Sequence, residues 1–162
     1  MKDLTIDVYM DTICPWCRMG TTSLRTALKQ LPAGTKATVR WHAYQLNPGI
    51  RPEGEDYRQI MIGRLGGTAQ FEARMRQYNE TGAHIGDVDE LVQIARASGV
   101  TDDAAELKTR LNQGEGLEKV GIGQRNAQKM GIRGVPYFVI NEEISLSGLQ
   151  SPNEFMKVFE NS

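Results

Sequence analysis

Cysteine is scarce in this 162-residue sequence, which contains only Cys14 and Cys17. This scarcity excludes the small secreted domains that depend on several disulfides for stability. A chain of this length can bury a core large enough to fold without such cross-links. We therefore expect one domain over residues 1–162 and ask what the two thiols do.

No single sign of charge dominates, since the sequence has 19 basic and 20 acidic residues and a net charge of −1. Both signs are spread along the chain, which argues against a nucleic-acid or anionic-membrane partner. No apolar run approaches the roughly 18 residues of a membrane span. The first residues lead straight into an alternating segment at 4–10, without the apolar region of a signal peptide. A cytoplasmic location is expected.

The hydrophobic pattern alternates between strand and helix periods, which predicts the α/β class. A long and mostly helical middle, broken at glycines, separates two parts that contain strands. Within the middle, Thr101 is a predicted N-cap. Ser151 and Pro152 are expected at the start of the final helix. The predicted elements are a strand at 4–10, a helix at 16–29, a strand at 37–46, helices between 57 and 130, strands at 137–141 and 144–147, and a helix from 152.

The two cysteines stand at the predicted junction of the first strand and helix, in the run Cys14-Pro15-Trp16-Cys17. Proline is favoured at the first helical position, which makes Cys14 the N-cap. Its sulfur is then expected to accept hydrogen bonds from the N–H groups of Trp16 and Cys17, and the helix dipole adds positive potential. Both effects lower the pKa of a thiol from its free value of about 8.5. Cys14 is therefore predicted to attack and Cys17, one turn further, to resolve.

Two other interpretations of the cysteines carry less weight. Buried cysteines often serve as small hydrophobic residues, but a pair that flanks Pro-Trp at a strand-to-helix junction is not typical of filler. A zinc site needs further ligands, and the candidates are His42 and His84, with no second Cys-x-x-Cys. No metal is therefore predicted. Asp11, just before the cysteines, is either a proton relay or a turn residue.

Three segments carry a family resemblance: residues 11–17 after the first strand, residues 41–48 ending in Gln-Leu-Asn-Pro, and residues 131–141 with Gly-Val-Pro-Tyr-Phe. Together they resemble the DsbA-like thioredoxin-fold oxidoreductases, most closely the cytosolic FrnE-type branch. The resemblance implies a thioredoxin-like core at about 1–50 and 115–162, with a reduced helical insertion at about 55–113 between the second strand and the last hairpin. It also implies that the cysteines cycle between dithiol and disulfide. A cis Pro136 would face them, with Pro15, Trp16 and Val135 also bordering the substrate.

The sequence departs from the family at two places. Arg18 replaces an aromatic residue usual in relatives, and its charge favours a nearby thiolate. The insertion is shorter than in FrnE-type relatives, which predicts that part of the lid over the cysteines is missing. Its loss exposes an apolar stripe, and closed two-fold pairing is the commonest way to cover one. A homodimer through residues 57–98 is therefore expected, with the stripe formed by Met61, Leu65, Phe71, Met75 and Tyr78.

The predicted function is a thiol–disulfide oxidoreductase that acts on peptide or protein thiols. It needs no cofactor beyond its redox-active disulfide, and glutathione is a candidate co-substrate. One alternative is a glutathione-dependent transferase or isomerase of the kappa type, although those enzymes tend to have serine at the nucleophile position. Another is a non-catalytic sensor or binding module whose disulfide state changes a partner surface.

Overall fold

The computed structural model describes residues 3–49, 56–75 and 87–162. Two compact units are formed, one by Met1–Leu46 with Gly116–Ser162 and the other by Asn47–Glu115. In the described ranges the elements are β1 (Leu4–Met10), α1 (Pro15–Leu28), β2 (Ala37–Ala43), α2 (Tyr57–Leu65), α3 (Thr68–Met75), α4 (Val88–Ala97), α5 (Ala104–Asn112), α6 (Leu117–Lys129), β3 (Tyr137–Ile140), β4 (Ile144–Ser147) and α7 (Pro152–Glu160). The α/β class predicted from the hydrophobic pattern is confirmed.

The first unit is built on a four-stranded sheet with the order β2-β1-β3-β4. Strands β1 and β2 are parallel, joined by the crossover helix α1, whereas β3 is antiparallel to both β1 and β4. Strand β1 has a neighbour on each side, and alternate side chains along it point to opposite faces of the sheet. The end of β1 therefore delivers the cysteine segment from the middle of the sheet.

Apolar side chains cover both faces of this sheet. One face packs against α1 and α7 through Leu4, Ile6, Val8, Leu24, Ala27, Phe138, Ile140, Phe155 and Phe159. In this cluster the ring of Phe155 meets Phe138 edge-on, with the centroids 4.8 Å apart. The other face packs against α6 through Tyr9, Ala127, Ile132 and Val139. The sheet is thus the middle layer of three, which explains why β1 and β3 are largely apolar.

Strand β2 ends at Ala43, three residues before the predicted end at 46. Its neighbour β1 ends at Met10, whose carbonyl accepts the N–H of Tyr44. The next two N–H groups are captured by side chains instead: Gln45 donates to Gln124 Oε1, and Leu46 to Asp11 Oδ2. The residues of this segment favour a strand, but β1 does not extend far enough to pair with them. Side chains from α6 and the cysteine loop take over its hydrogen bonds.

Helix starts were predictable where the capping residue stands next to the helix. Ser151 caps α7 in a full capping box with Glu154, as predicted. The prediction of Thr101 as the cap of α5 is wrong, because Asp103 holds that position and accepts the N–H of Glu106. Thr101 instead exchanges hydrogen bonds with the backbone of Asp103. Thr101 and Asp103 both carry a side-chain oxygen that can cap a helix, and Asp103, which directly precedes the helix, is the residue that caps it.

A polar cluster is built around Asp7, the charged residue of β1, which is 8% exposed. Arg40 binds its carboxylate with two nitrogens, Nε to Oδ1 at 2.7 Å and Nη2 to Oδ2 at 2.5 Å. Nε2 of His42 lies 2.5 Å from Oδ1, and the imidazole stacks on Tyr9 with the ring centres 4.6 Å apart. Glu142 reaches the same Arg40 from the surface, at 3.2 Å. His42 is therefore a partner of Asp7.

This cluster predicts how the stability of the protein depends on pH. Burial raises the pKa of Asp7, but the hydrogen bonds from Arg40 and His42 outweigh it and hold the pKa below the ordinary 3.8. A depressed folded-state pKa contributes stability that is present above the unfolded value and lost as the pH falls through the folded value. We expect Asp7→Asn to lower the free energy of unfolding at neutral pH, with its curve approaching that of the wild type in acid.

The matched control for Asp7→Asn is Glu142→Gln, which removes the exposed carboxylate from the same arginine. Exposed ion pairs contribute little, so this variant should follow the wild-type curve at every pH. Urea unfolding measured from neutral pH down to about pH 2 compares the three proteins over the range in which Asp7 titrates. Parallel curves for Asp7→Asn and the wild type would contradict the assignment.

The structure describes only part of the predicted dimer surface. Tyr78 lies outside the described residues, as do the side chains of Leu65, Phe71 and Met75, and Met61 is half-buried. The homodimer therefore stays a prediction.

Among the described residues, no helix combines the length and apolar character needed to cross a bilayer.

Candidate thiol site

The loop between β1 and α1 is shaped by Asp11. Its carbonyl oxygen accepts the N–H of Cys14 at 3.1 Å, and its Oδ1 accepts the N–H of Ile13 at 3.1 Å. An aspartate that bonds the backbone two residues later forms an Asx-turn, which reverses the chain at the strand end. Helix α1 then starts with Pro15 at its first position and Cys14 as its N-cap, as predicted. The sequence of the loop thus delivers the first cysteine to the positive end of a helix.

Cys14 and Cys17 are both free thiols with little access to solvent. Cys14 is 4% exposed and Cys17 is fully buried. The predicted capping hydrogen bonds to the Cys14 sulfur are not formed. Its thiol donates instead to the carbonyl oxygen of Val135, at 3.6 Å. Cys14 therefore faces the loop before β3, and Cys17 is the more deeply buried of the two.

The two sulfurs have opposite acid–base character. A hydrogen bond from Cys17 is the largest effect on Cys14, and with the nearby N–H groups of Cys17 and Trp16 it outweighs burial and the Asp11 charge, lowering the pKa of Cys14 to about 7. The pKa of Cys17 is raised strongly, first by its hydrogen bond to Cys14 and then by burial. One thiolate is therefore favoured, and it resides on Cys14. This division matches the predicted roles of attacking and resolving cysteine.

We predict that alkylation separates the two thiols. Iodoacetamide reacts with thiolates, so the rate at Cys14 should rise with pH through a midpoint of about 7, whereas Cys17 should stay unreactive over the same range. Peptide mapping after short exposures to iodoacetamide measures each rate in the reduced wild-type protein. Equal rates at the two positions would contradict this geometry.

A glycine in α1 allows the loop before β3 to lie close to this helix. The peptide bond between Val135 and Pro136 is cis. Pro136 is fully buried, and its Cγ would lie 3.1 Å from a Cβ on Gly20, with Phe138 at 3.2 Å. A side chain at position 20 would push these groups away from the helix. Gly20 thus permits the close approach that brings the Val135 carbonyl to Cys14.

The sequence-predicted site residues divide by position. Cys14, Cys17 and Val135 come together, and Pro15 and Trp16 form the half-buried first turn of α1. The Pro136 ring is packed inside, which leaves the neighbouring Val135 at the partly exposed rim. Arg18 is exposed in the same turn of α1, and His84 lies outside the described residues. Sequence reasoning missed Gly20, although a glycine inside a predicted helix is a recognised sign of close packing.

Comparison with known proteins assigns this chain to a family. The family model described as DSBA-like thioredoxin domain matches residues 5–75 and 66–160, which together are nearly the whole chain. A search of the curated proteins finds no match. Family membership thus comes from the family model, with the solved structures adding the fold.

Solved structures share the fold at low sequence identity. A probable DsbA oxidoreductase from Streptomyces coelicolor is 20% identical, with a TM-score of 0.77 over 98% of this chain and 89% of its own. The cytosolic disulfide reductase DsbM from Pseudomonas aeruginosa is 16% identical, with a TM-score of 0.59 over 97% of each chain. The same protein with GSH gives a TM-score of 0.60 at 17% identity, over 97% of this chain and 98% of its own. The predicted thioredoxin-like fold is confirmed.

Proposed function

Because this chain belongs to the DsbA-like thioredoxin family, whose fold is that of thiol–disulfide oxidoreductases, we propose that it exchanges disulfides with peptide or protein thiols through Cys14 and Cys17. The observation that carries the proposal is the asymmetry of the pair. Cys14 has a pKa of about 7 and is 4% exposed, whereas Cys17 is fully buried with a raised pKa. An attacking and a resolving thiol require this difference.

The proposed chemistry proceeds in two exchanges. The Cys14 thiolate attacks one sulfur of a substrate disulfide, so that a Cys14–substrate disulfide forms and the other substrate sulfur leaves as a thiolate. Cys17 then loses its proton and attacks Cys14 Sγ, which expels the second substrate sulfur with its electron pair. The substrate gains two electrons, and Cys14 and Cys17 become a disulfide.

Val135 supplies a docking group for this reaction. Its carbonyl oxygen accepts a hydrogen bond from the Cys14 thiol in the dithiol form. Once that proton leaves, the carbonyl is free to accept an N–H from an extended substrate, which is how an added strand binds to an exposed backbone edge. The half-buried side chains of Pro15 and Trp16 border the same sulfur and complete the proposed substrate surface.

We further propose that the protein works as a reductase. A strongly oxidising pair has a nucleophile pKa of roughly 3.5, whereas a reducing pair has one of about 7. The pKa of Cys14, about 7, is of the second kind. The cytosolic disulfide reductase with the same fold supports this direction and the predicted cytoplasmic location. Its structure with GSH supports glutathione as the electron donor.

Glutathione completes the proposed cycle. One molecule attacks Cys14 of the oxidised pair and forms a mixed disulfide there, releasing Cys17 as a thiol. A second molecule attacks that mixed disulfide and leaves as glutathione disulfide, which returns Cys14 to the thiolate. Two glutathione molecules therefore supply the two electrons that pass to the substrate.

Reduction of insulin disulfides, with glutathione as donor and glutathione disulfide formation as the readout, tests this function. We expect turnover that requires both insulin and the protein. Conjugation of an electrophile to glutathione without thiol oxidation would favour the kappa-type transferase instead. Stoichiometric oxidation of the two cysteines with no turnover would favour the sensor.

A further inference from the structure

The Asp11 carboxylate is bonded from two different segments of the chain. Oδ1 accepts the N–H of Ile13 in the cysteine loop at 3.1 Å, and Oδ2 accepts the N–H of Leu46 after β2 at 2.8 Å. The Asp11 carbonyl also accepts the N–H of Cys14. Three backbone donors from two segments therefore meet at this one residue.

These bonds give Asp11 a structural task that no regular element performs. The N–H groups of Ile13 and Leu46 stand outside the strand ladder, so each needs another acceptor. Because one carboxylate serves both, the loop that carries Cys14 is tied to the segment after β2. The carboxylate itself is held in a single orientation, only three residues from the nucleophilic sulfur.

The charge of Asp11 also acts on the cysteines. A negative charge beside a thiol disfavours a second negative charge on the sulfur. The hydrogen bond from Cys17 is the largest effect on Cys14 and lowers its pKa, whereas the Asp11 charge acts in the other direction and raises the pKa of Cys14. The same charge also raises the pKa of Cys17. A neutral amide or hydroxyl could provide a turn at this position without that opposition.

We propose that Asp11 is a positioning residue of the thiol site that also sets its redox balance. It ties the Cys14 loop to the Leu46 segment, and its negative charge disfavours the ionised form of Cys14. The inference deepens the proposed function. The reduced form carries the thiolate and the disulfide form does not, so a charge that opposes the thiolate makes the dithiol a better electron donor. Asp11 thus shifts the pair towards the reducing direction.

The test compares Asp11→Asn, Asp11→Ser and Asp11→Glu with the wild type. The first two remove the charge but keep an oxygen acceptor for the turn, and the third keeps the charge on a longer side chain. The matched control is Glu143→Gln, a neutralised carboxylate at the β3–β4 turn, the opposite end of β3 from Pro136. The rate of iodoacetamide alkylation at Cys14 against pH gives the thiolate pKa, and equilibration with glutathione gives the redox balance. Thermal unfolding checks that each variant is folded.

We expect the charge-free variants to raise the thiolate fraction at about pH 6 roughly three- to tenfold. The ratio of dithiol to disulfide in a fixed glutathione buffer should rise as well, and most at a pH above 7, where the thiolate is the main reduced form. Asp11→Glu and Glu143→Gln should stay near the wild-type pKa. An unchanged Cys14 pKa in a folded charge-free variant would overturn the proposal.

A measurement on the wild type keeps the test decisive if the charge-free variants do not fold. The carboxyl carbon of Asp11, observed by NMR, should show an inflection at the Cys14 pKa of about 7 in the reduced protein and none in the oxidised protein. Identical titrations of the two forms would overturn the proposal. Alkylation and NMR need no substrate, so they stand even if insulin is not reduced.

Discussion

Cys14→Ser is expected to reduce insulin-reducing turnover by at least about a thousandfold, because a serine hydroxyl neither ionises near neutral pH nor forms a disulfide. Cys17→Ser should behave differently, since its Cys14 still attacks. The mixed disulfide then has no resolving thiol and accumulates. Non-reducing mass spectrometry after mixing with a disulfide peptide should therefore find the adduct on Cys17→Ser and none on Cys14→Ser.

The two serine variants are matched controls for each other, because each removes one poorly accessible thiol from the same turn of α1. Similar melting temperatures would show that the difference in trapping is chemical. Equal trapping by both variants, or turnover by Cys14→Ser, would contradict the assigned roles. Progressive loss of the adduct in Cys17→Ser as the pH is lowered would further link the attack to the Cys14 thiolate.

Gly123→Ala is expected to destabilise the first unit, although alanine is a better helix former than glycine. A Cβ at position 123 would lie 2.5 Å from the carbonyl oxygen of Ala43, because α6 packs directly on the backbone of β2. Backbone atoms have little freedom to yield, so the helix or the strand must shift. Overpacking of this kind typically costs about 1–3 kcal/mol.

The same helix provides the control, Gly121→Ala. Its added Cβ would meet only the end of the Arg125 side chain, at 3.3 Å, which can move away. Both variants gain the helix propensity of alanine, about 1 kcal/mol, so the difference between their unfolding free energies isolates the contact with Ala43. Urea unfolding measures that difference, and equal stabilities would show that α6 does not pack this closely.

Local sequence signals were sufficient for much of the site. Pro15 places a helix start directly after Cys14, and this position supports a lowered thiol pKa without reference to the rest of the chain. Alternation of apolar residues predicted β1, and Ser151 predicted the start of α7. These features depend on neighbours within a few residues, and short-range sterics and hydrogen bonding act within that distance.

Long-range packing decided the remainder. That the Cys14 thiol bonds Val135 depends on two segments 121 residues apart in sequence, and on a glycine at position 20 whose importance appears only beside Pro136. Of the two roles left open for Asp11, the turn is confirmed by the N–H of Ile13, and the proton relay stays a prediction. The N–H of Leu46 reaches Asp11 only after β2 has paired with β1. By itself the sequence determined which residues are proposed to carry the chemistry, because helix starts and thiol acidity are local properties. Only the tertiary structure decided what surrounds them, because the contacts that orient the sulfurs form when distant strands and helices close on one core.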